Sequence, residues 1–161
     1  MSTSNTSLPN LAEILGPVLR RVSTQQRPIL LAAAERLAAN RYRQWADEVD
    51  PSLKSGMLAC AEREDEVAQR IEAMFANAES LQKELLAQTP ELMDANSLFA
   101  SLSLRDQFAV QAQGERAGAA TWRIYAEKAS DSQIRNQFLK CALLEEESAL
   151  FLESILQNRV G

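Results

Sequence analysis

The chain has 161 residues, 46% of them hydrophobic, and a formal net charge of −5. That size and composition fit one soluble globular domain with a proper core, and the interleaving of both charge signs argues against a nucleic-acid-binding surface. Histidine is absent, which excludes Ser-His and Cys-His nucleophile pairs and any histidine-containing zinc site.

Residues 1–7 are polar and read as a frayed tail without the basic and apolar regions of a signal peptide. No run of about eighteen apolar residues suggests a membrane span, so a cytoplasmic location is the expectation. From Leu8 to Val22 the spacing of Leu11, Ile14, Leu15, Val18, Leu19 and Val22 predicts a short amphipathic helix, which Pro17 breaks or kinks. Ser23 or Thr24 is the expected cap of the next helix, which carries Leu30, Leu31, Glu35, Tyr42, Trp45 and Val49. Asp50-Pro51 closes that segment and opens another, predicted to run to about Phe75.

Residues 77–103 are different. A weak helix (Leu81, Leu85, Leu86), a Thr89-Pro90 break and an apolar cluster (Leu92, Met93, Leu98, Phe99, Leu102) make a stretch too long for a tight turn. It suits a crossover along a bundle. A long helix follows from about Leu104 to Ala129. Ser130 to Gln133 resembles a capping box, and the last helix extends to Gln157.

The second half of the chain echoes the first. Leu58–Ala68 aligns with Leu139–Ala149 at an offset of 81 (141 − 60, 145 − 64), and Glu35-Arg36 aligns with Glu115-Arg116 at an offset of 80 (115 − 35). Cys60 and Cys141 hold equivalent positions on the apolar faces, where Cys acts as a small hydrophobe, not a disulfide partner. A single hairpin cannot cover its own apolar face, so two related hairpins are expected to pack together.

Each of the four long helices carries a glutamate inside its apolar seam: Glu35, Glu64, Glu115 and Glu145. In each hairpin the pair is about thirty residues apart, which places both carboxylates about 21 Å from the turn at 1.5 Å per residue. A carboxylate in an apolar seam is costly unless paired or neutralised. Convergence of all four is the functional clue.

With these residues in place, the sequence resembles the ferritin-like family, and rubrerythrins most within it. The resemblance covers about residues 28–76 and 104–157. The family pattern is a Glu on one helix and Glu-x-x-His on the next, repeated. Glu35 and Glu115 match the single-Glu positions, and Glu64 and Glu145 match the Glu of Glu-x-x-His. Val67 and Ser148 stand where both histidines belong. Tyr42 falls where ferritins have a tyrosine beside the metal site. The resemblance implies an all-α, ferritin-like four-helix bundle with a short N-terminal helix. It also implies a carboxylate-only site for two iron or manganese ions, weak ferroxidase- or peroxidase-like oxidoreductase chemistry, and homodimers or higher oligomers.

A second reading keeps the bundle as a metal-free scaffold or interaction protein. Arg36, Arg63, Arg70, Arg116 or Arg123 then pairs with the glutamates, or the carboxyls stay protonated. A third reading makes the space a pocket for a small apolar or cationic ligand. Trp45, Trp122, Tyr125 and Phe138 read as core, and Gly114 and Gly118 as sites of close helix approach. The stripe Leu139, Leu143, Leu150 reads as a surface under the N-terminal helix or at a homodimer contact.

Overall fold

A computed structural model describes residues 7–158. The expected tail therefore lies outside the described residues, except for Ser7, which is exposed and outside any helix. The described chain is all-α: α1 (Leu11–Arg21), α2 (Arg27–Glu48), α3 (Pro51–Glu72), α4 (Ala78–Gln88), α5 (Pro90–Leu98), a short 3-10 helix (Phe99–Ser101), α6 (Leu104–Lys128) and α7 (Ser132–Gln157). Among the described residues no helix is long and apolar enough to cross a membrane.

The helix ends follow local chemistry. Asn10 accepts from the Glu13 amide at 3.2 Å, and Ser103 from the Asp106 amide at 3.1 Å. Asp50 accepts from the Ser52 amide at 2.9 Å with Pro51 next to it in the first turn, as expected. Three expectations need correction. Pro17 does not break α1, which passes through it. Neither Ser23 nor Thr24 caps α2, which starts at Arg27 with Pro28 in its first turn and no side-chain cap. The start of α7 is capped by Asp131, whose carboxylate accepts from the Gln133 and Ile134 amides at 2.8 and 3.0 Å, not by Ser130. Aspartate is as good a cap as serine, and its two oxygens bring charge to the helix dipole.

Helices α2 and α3 form one hairpin, α6 and α7 the other, and α3 packs against α7. Side-chain bonds tie α2 to α6: Trp45 Nε1 donates to Gln107 Oε1 at 2.7 Å, and Arg41 Nη2 to Gln111 Oε1 at 2.9 Å. The crossover is largely helical, with α4 against α2 and α5 against α1. Helix α1 lies against α5 and α6, so it does not cover the α7 stripe. Leu139, Leu143 and Leu150 are 40, 51 and 58% exposed.

Both hairpins share two ion pairs, and the first adds another, Arg36 with Asp65 at 2.9 Å. Arg36 grips Glu72 through two bonds of 3.1 and 2.8 Å, and Arg116 grips Glu153 through two of 2.9 and 2.7 Å. Arg43 pairs with Asp65, and Arg123 with Glu146. The partners correspond at the offsets of the sequence repeat (116 − 36, 153 − 72; 123 − 43, 146 − 65). Each such partly exposed pair contributes at most about 1 kcal/mol. Their value here is that they mark the same register in both halves.

The apolar core falls into two clusters. One holds Ile29, Leu30, Val67, Ile71, Trp122 and Phe138 among others, and the second includes Tyr42, Trp45, Met57, Phe108, Leu152 and Ile155. Cys60 and Cys141 are free and buried, one in each cluster. In every long helix the seam glutamate occupies the gap between residues of the two clusters.

Candidate metal centre

Carboxyl oxygens of Glu35, Glu64 and Glu145 lie within 4.8 Å of one another. They come from α2, α3 and α7, so both hairpins contribute. Glu64 and Glu145 are buried, whereas Glu35 keeps some accessible surface. Glu115 is buried beside them on α6. Its Oε1 accepts from the Tyr42 hydroxyl at 2.7 Å and from Gln111 Nε2 at 2.8 Å, while its Oε2 has no partner. The sequence-predicted quartet thus resolves into a close group of three, with Glu115 held at its side by hydrogen bonds.

The three are not held alike. Glu145 Oε1 accepts from the indole N–H of Trp122 at 2.8 Å. Gly118 makes room for this carboxyl, because a methyl group there would come within 2.8 Å of both its oxygens. Glu64 has no hydrogen-bond partner at either oxygen, and the groups that act on it most are the carboxyls of Glu115 and Glu35. Trp122 occupies in the second hairpin the position of Tyr42 in the first (122 − 42). Trp122 serves the glutamate of its own hairpin, but the Tyr42 hydroxyl crosses to Glu115, and Glu64 is left bare.

Such crowding shows in the acidities. Burial, then the charge of Glu115, pushes Glu35 from the ordinary 4.5 to about 7, and hydrogen bonds with Glu64 and Glu145 pull partly the other way. Burial and the neighbouring carboxylates push Glu64 and Glu145 well above the usual range. Tyr42 is likewise raised, first by burial and then by Glu115, so its hydroxyl acts as a donor at neutral pH.

None of the arginines expected to neutralise the glutamates does so. Arg36 and Arg116 pair with Glu72 and Glu153 as described, and Arg123 with Glu146. Arg70 binds Glu66 and Gln137, and Arg63 donates to Ser148 and Cys60. Arg36, Arg70, Arg116 and Arg123 meet acidic partners on the helix flanks, whereas Arg63 reaches the buried Ser148 and Cys60 and stops short of the glutamates. Sequence reasoning passed over Arg41, which neighbours Tyr42. Its guanidinium stacks on Phe99 at 4.2 Å and donates to Asn96 and Gln111. Its charge also acts on Glu115, Glu35 and Glu64. It reaches Glu115 through Gln111, so it orients that carboxylate without capping it.

Ser148 and Val67, at the positions where the resemblance implies histidines, offer the centre no ligand: the Ser148 hydroxyl accepts from Arg63 Nε at 3.1 Å, and Val67 is packed in the core. The donor set is therefore oxygen only. Two oxygens on one ion at about 2.1 Å are at most about 4.2 Å apart, so the 4.8 Å group closes on an ion with shifts of about half an ångström. Unpartnered oxygens on Glu64 and Glu115 are what a bound cation would satisfy. The residues fit a hard or borderline divalent ion.

No protein-family model, curated protein or solved structure matches this chain.

Proposed function

We propose that the protein is a ferritin-like helical bundle that binds iron or manganese through Glu35, Glu64 and Glu145, with Glu115 adding its free Oε2. The observation that carries this reading is Glu64: a fully buried carboxyl, both oxygens without an N–H or hydroxyl partner, against two more carboxyls and bonded to no arginine. Divalent ions would offset the charge that Arg41, a single guanidinium bonded elsewhere, offsets only in part. Iron or manganese held there would supply electron transfer to oxygen species, the ferroxidase- or peroxidase-like chemistry of the resemblance. The chain's own part is positional. Trp122 and Gly118 fix Glu145, Tyr42 and Gln111 fix Glu115, and the two apolar clusters pack above and below the carboxyls along the bundle.

A second reading has one observation in its favour. The carboxyls crowd one another, and burial pushes Glu35 up to about 7, so shared protons would also hold the cluster together. The protein would then be a metal-free scaffold. Metal analysis after anaerobic addition of Fe(II) or Mn(II) separates the two. Uptake of one to two ions per chain, abolished in Glu64→Gln and Glu145→Gln, is expected. Absence of uptake by the wild type overturns the metal reading in favour of the scaffold.

A further inference from the structure

Beneath α1, over the groove between α2 and α6, lies a partly open cavity of about 240 Å³. Its walls are apolar: Leu11, Leu15 and Leu19 from α1, Leu31 and Ala34 from α2, and Ala117 from α6. Its polar lining is lopsided. Glu35, Glu115 and Glu145 face Arg41 alone among charged groups. The terminal nitrogens of Arg41 are engaged by Asn96 and Gln111, and only its Nε is without a partner. Glu115, only 1% exposed, has an oxygen with no partner.

Glycine keeps this space open. A methyl group at Gly114 would meet Leu11 at 2.9 Å, and one at Gly118 would meet the Glu145 carboxyl. An anion entering here would meet carboxylates first, and a neutral apolar molecule would leave the polar end unanswered. We propose that this cavity binds a small primary amine, its apolar body against α1 and its ammonium on Glu35, Glu115 and Glu145. An ammonium has three N–H donors and no acceptor, which matches three acceptors in number. A cavity of about 150 Å³ holds benzene, so this one takes roughly nine or ten heavy atoms on the same scale. The occupant is thus an arylalkyl or short alkyl amine. The site shares Glu35, Glu115 and Glu145 with the proposed metal centre, so amine and metal compete for it, and the amine is expected on the metal-free chain.

Isothermal titration calorimetry of the EDTA-treated full chain tests it with 2-phenylethylamine, 2-phenylethanol and 3-phenylpropionate. The amine is expected to bind once per chain, at least about tenfold tighter than the alcohol, the worth of one hydrogen bond to a charged group. The carboxylate is expected not to bind. Ala34→Leu fills the cavity and is expected to weaken the amine at least tenfold. Glu35→Gln weakens the amine while leaving the alcohol unchanged, and circular dichroism checks that both variants fold. Equal binding of amine and alcohol, no amine binding, or full amine affinity in both variants overturns the proposal. Mn(II) uptake is scored separately. Amine binding without manganese sinks the metal reading alone, and manganese without amine binding sinks this one alone.

Discussion

At the scale of single residues, two substitutions probe the carboxylate cluster. Glu64→Gln keeps the shape of the side chain, replaces a carboxyl that burial drives toward its protonated form with an amide that takes up no proton on folding, and adds an N–H₂ donor for Glu35 and Glu115. In the metal-free protein at pH 7.5 it is expected to stabilise by about 1–2 kcal/mol, on the scale of a hydrogen bond to a charged group. Urea unfolding reads this, and a destabilised variant would mean that the protonated Glu64 carboxyl serves the cluster better than an amide does. Gly118→Ala is expected to cost about 1–3 kcal/mol, as overpacking does. The methyl group falls on the Glu145 carboxyl and not on apolar packing, so metal uptake should drop along with the melting temperature. A variant with normal uptake would show that Glu145 can move aside freely. Gly118 was legible as a close approach. What approaches it was not, because spacing shows that room is needed and not whether a backbone or a carboxyl uses it. Trp122 was likewise legible as core but not as a donor: its size is in the sequence, while the direction of its N–H is not. A signal did exist, since Trp122 stands in the register of Tyr42, the residue expected beside the site. Arg41 had no such signal, because nothing in its helix spacing distinguishes a side chain that turns back over Phe99 from one in solvent.

At the scale of helices, the seams and the Asp50-Pro51 turn made the hairpins readable, because apolar periodicity and helix capping are local properties of the chain. The boundary before α7 was misread for a reason that is also local. Ser130 and Asp131 are adjacent, both are good caps, and only the backbone path decides between them. Asp131→Ala is expected to destabilise by about 1 kcal/mol while Ser130→Ala stays within about 0.5 kcal/mol. Thermal melting checks the pair, and equal effects would contradict the cap geometry. The start of α2 was misplaced because Pro28 supports a first turn that needs no serine or threonine cap. The fold of the crossover was legible only as helical turns, since α4 and α5 owe their placement to contacts with α2 and α1 that no local pattern announces.

At the scale of the whole molecule, the cluster sets how stability depends on pH. A carboxyl whose folded-state pKa is raised holds its proton where the unfolded chain has lost it. The stability it contributes is full below 4.5 and is lost as pH rises through about 7 for Glu35. Glu64 and Glu145 act in the same direction. Glu146 and Glu153, pulled down by Arg123 and Arg116, act oppositely but only below the usual carboxylate value. The EDTA-treated protein is therefore expected to be more stable to urea at pH 5 than at pH 8, with saturating Mn(II) reversing the order. A flat profile without metal would argue that water or an unseen cation already solvates the cluster. The exposed stripe Leu139, Leu143 and Leu150 supports the proposal that copies of the chain associate. Sedimentation is expected to give a mass above one chain that falls to one chain in Leu143→Asp. A single-chain mass for the wild type ends that proposal.

The paired latches have a further meaning. A chain whose halves fasten at Arg36–Glu72 and Arg116–Glu153, and again at Arg43–Asp65 and Arg123–Glu146, is built like a two-fold dimer written as one sequence. In a true dimer each surface must serve two places at once, and no residue can specialise. Covalent fusion lifts that constraint, and the halves differ where it was used: Trp122 opposite Tyr42, Gly118 opposite Ala38, Gln111 opposite Leu31. These three departures lie beside the acidic centre, while the latches, the four glutamates and small core residues around them (Ala32 and Ala112, Ala39 and Ala119, Ala61 and Ala142) stay matched, so the symmetry is kept except where single residues have taken on separate tasks.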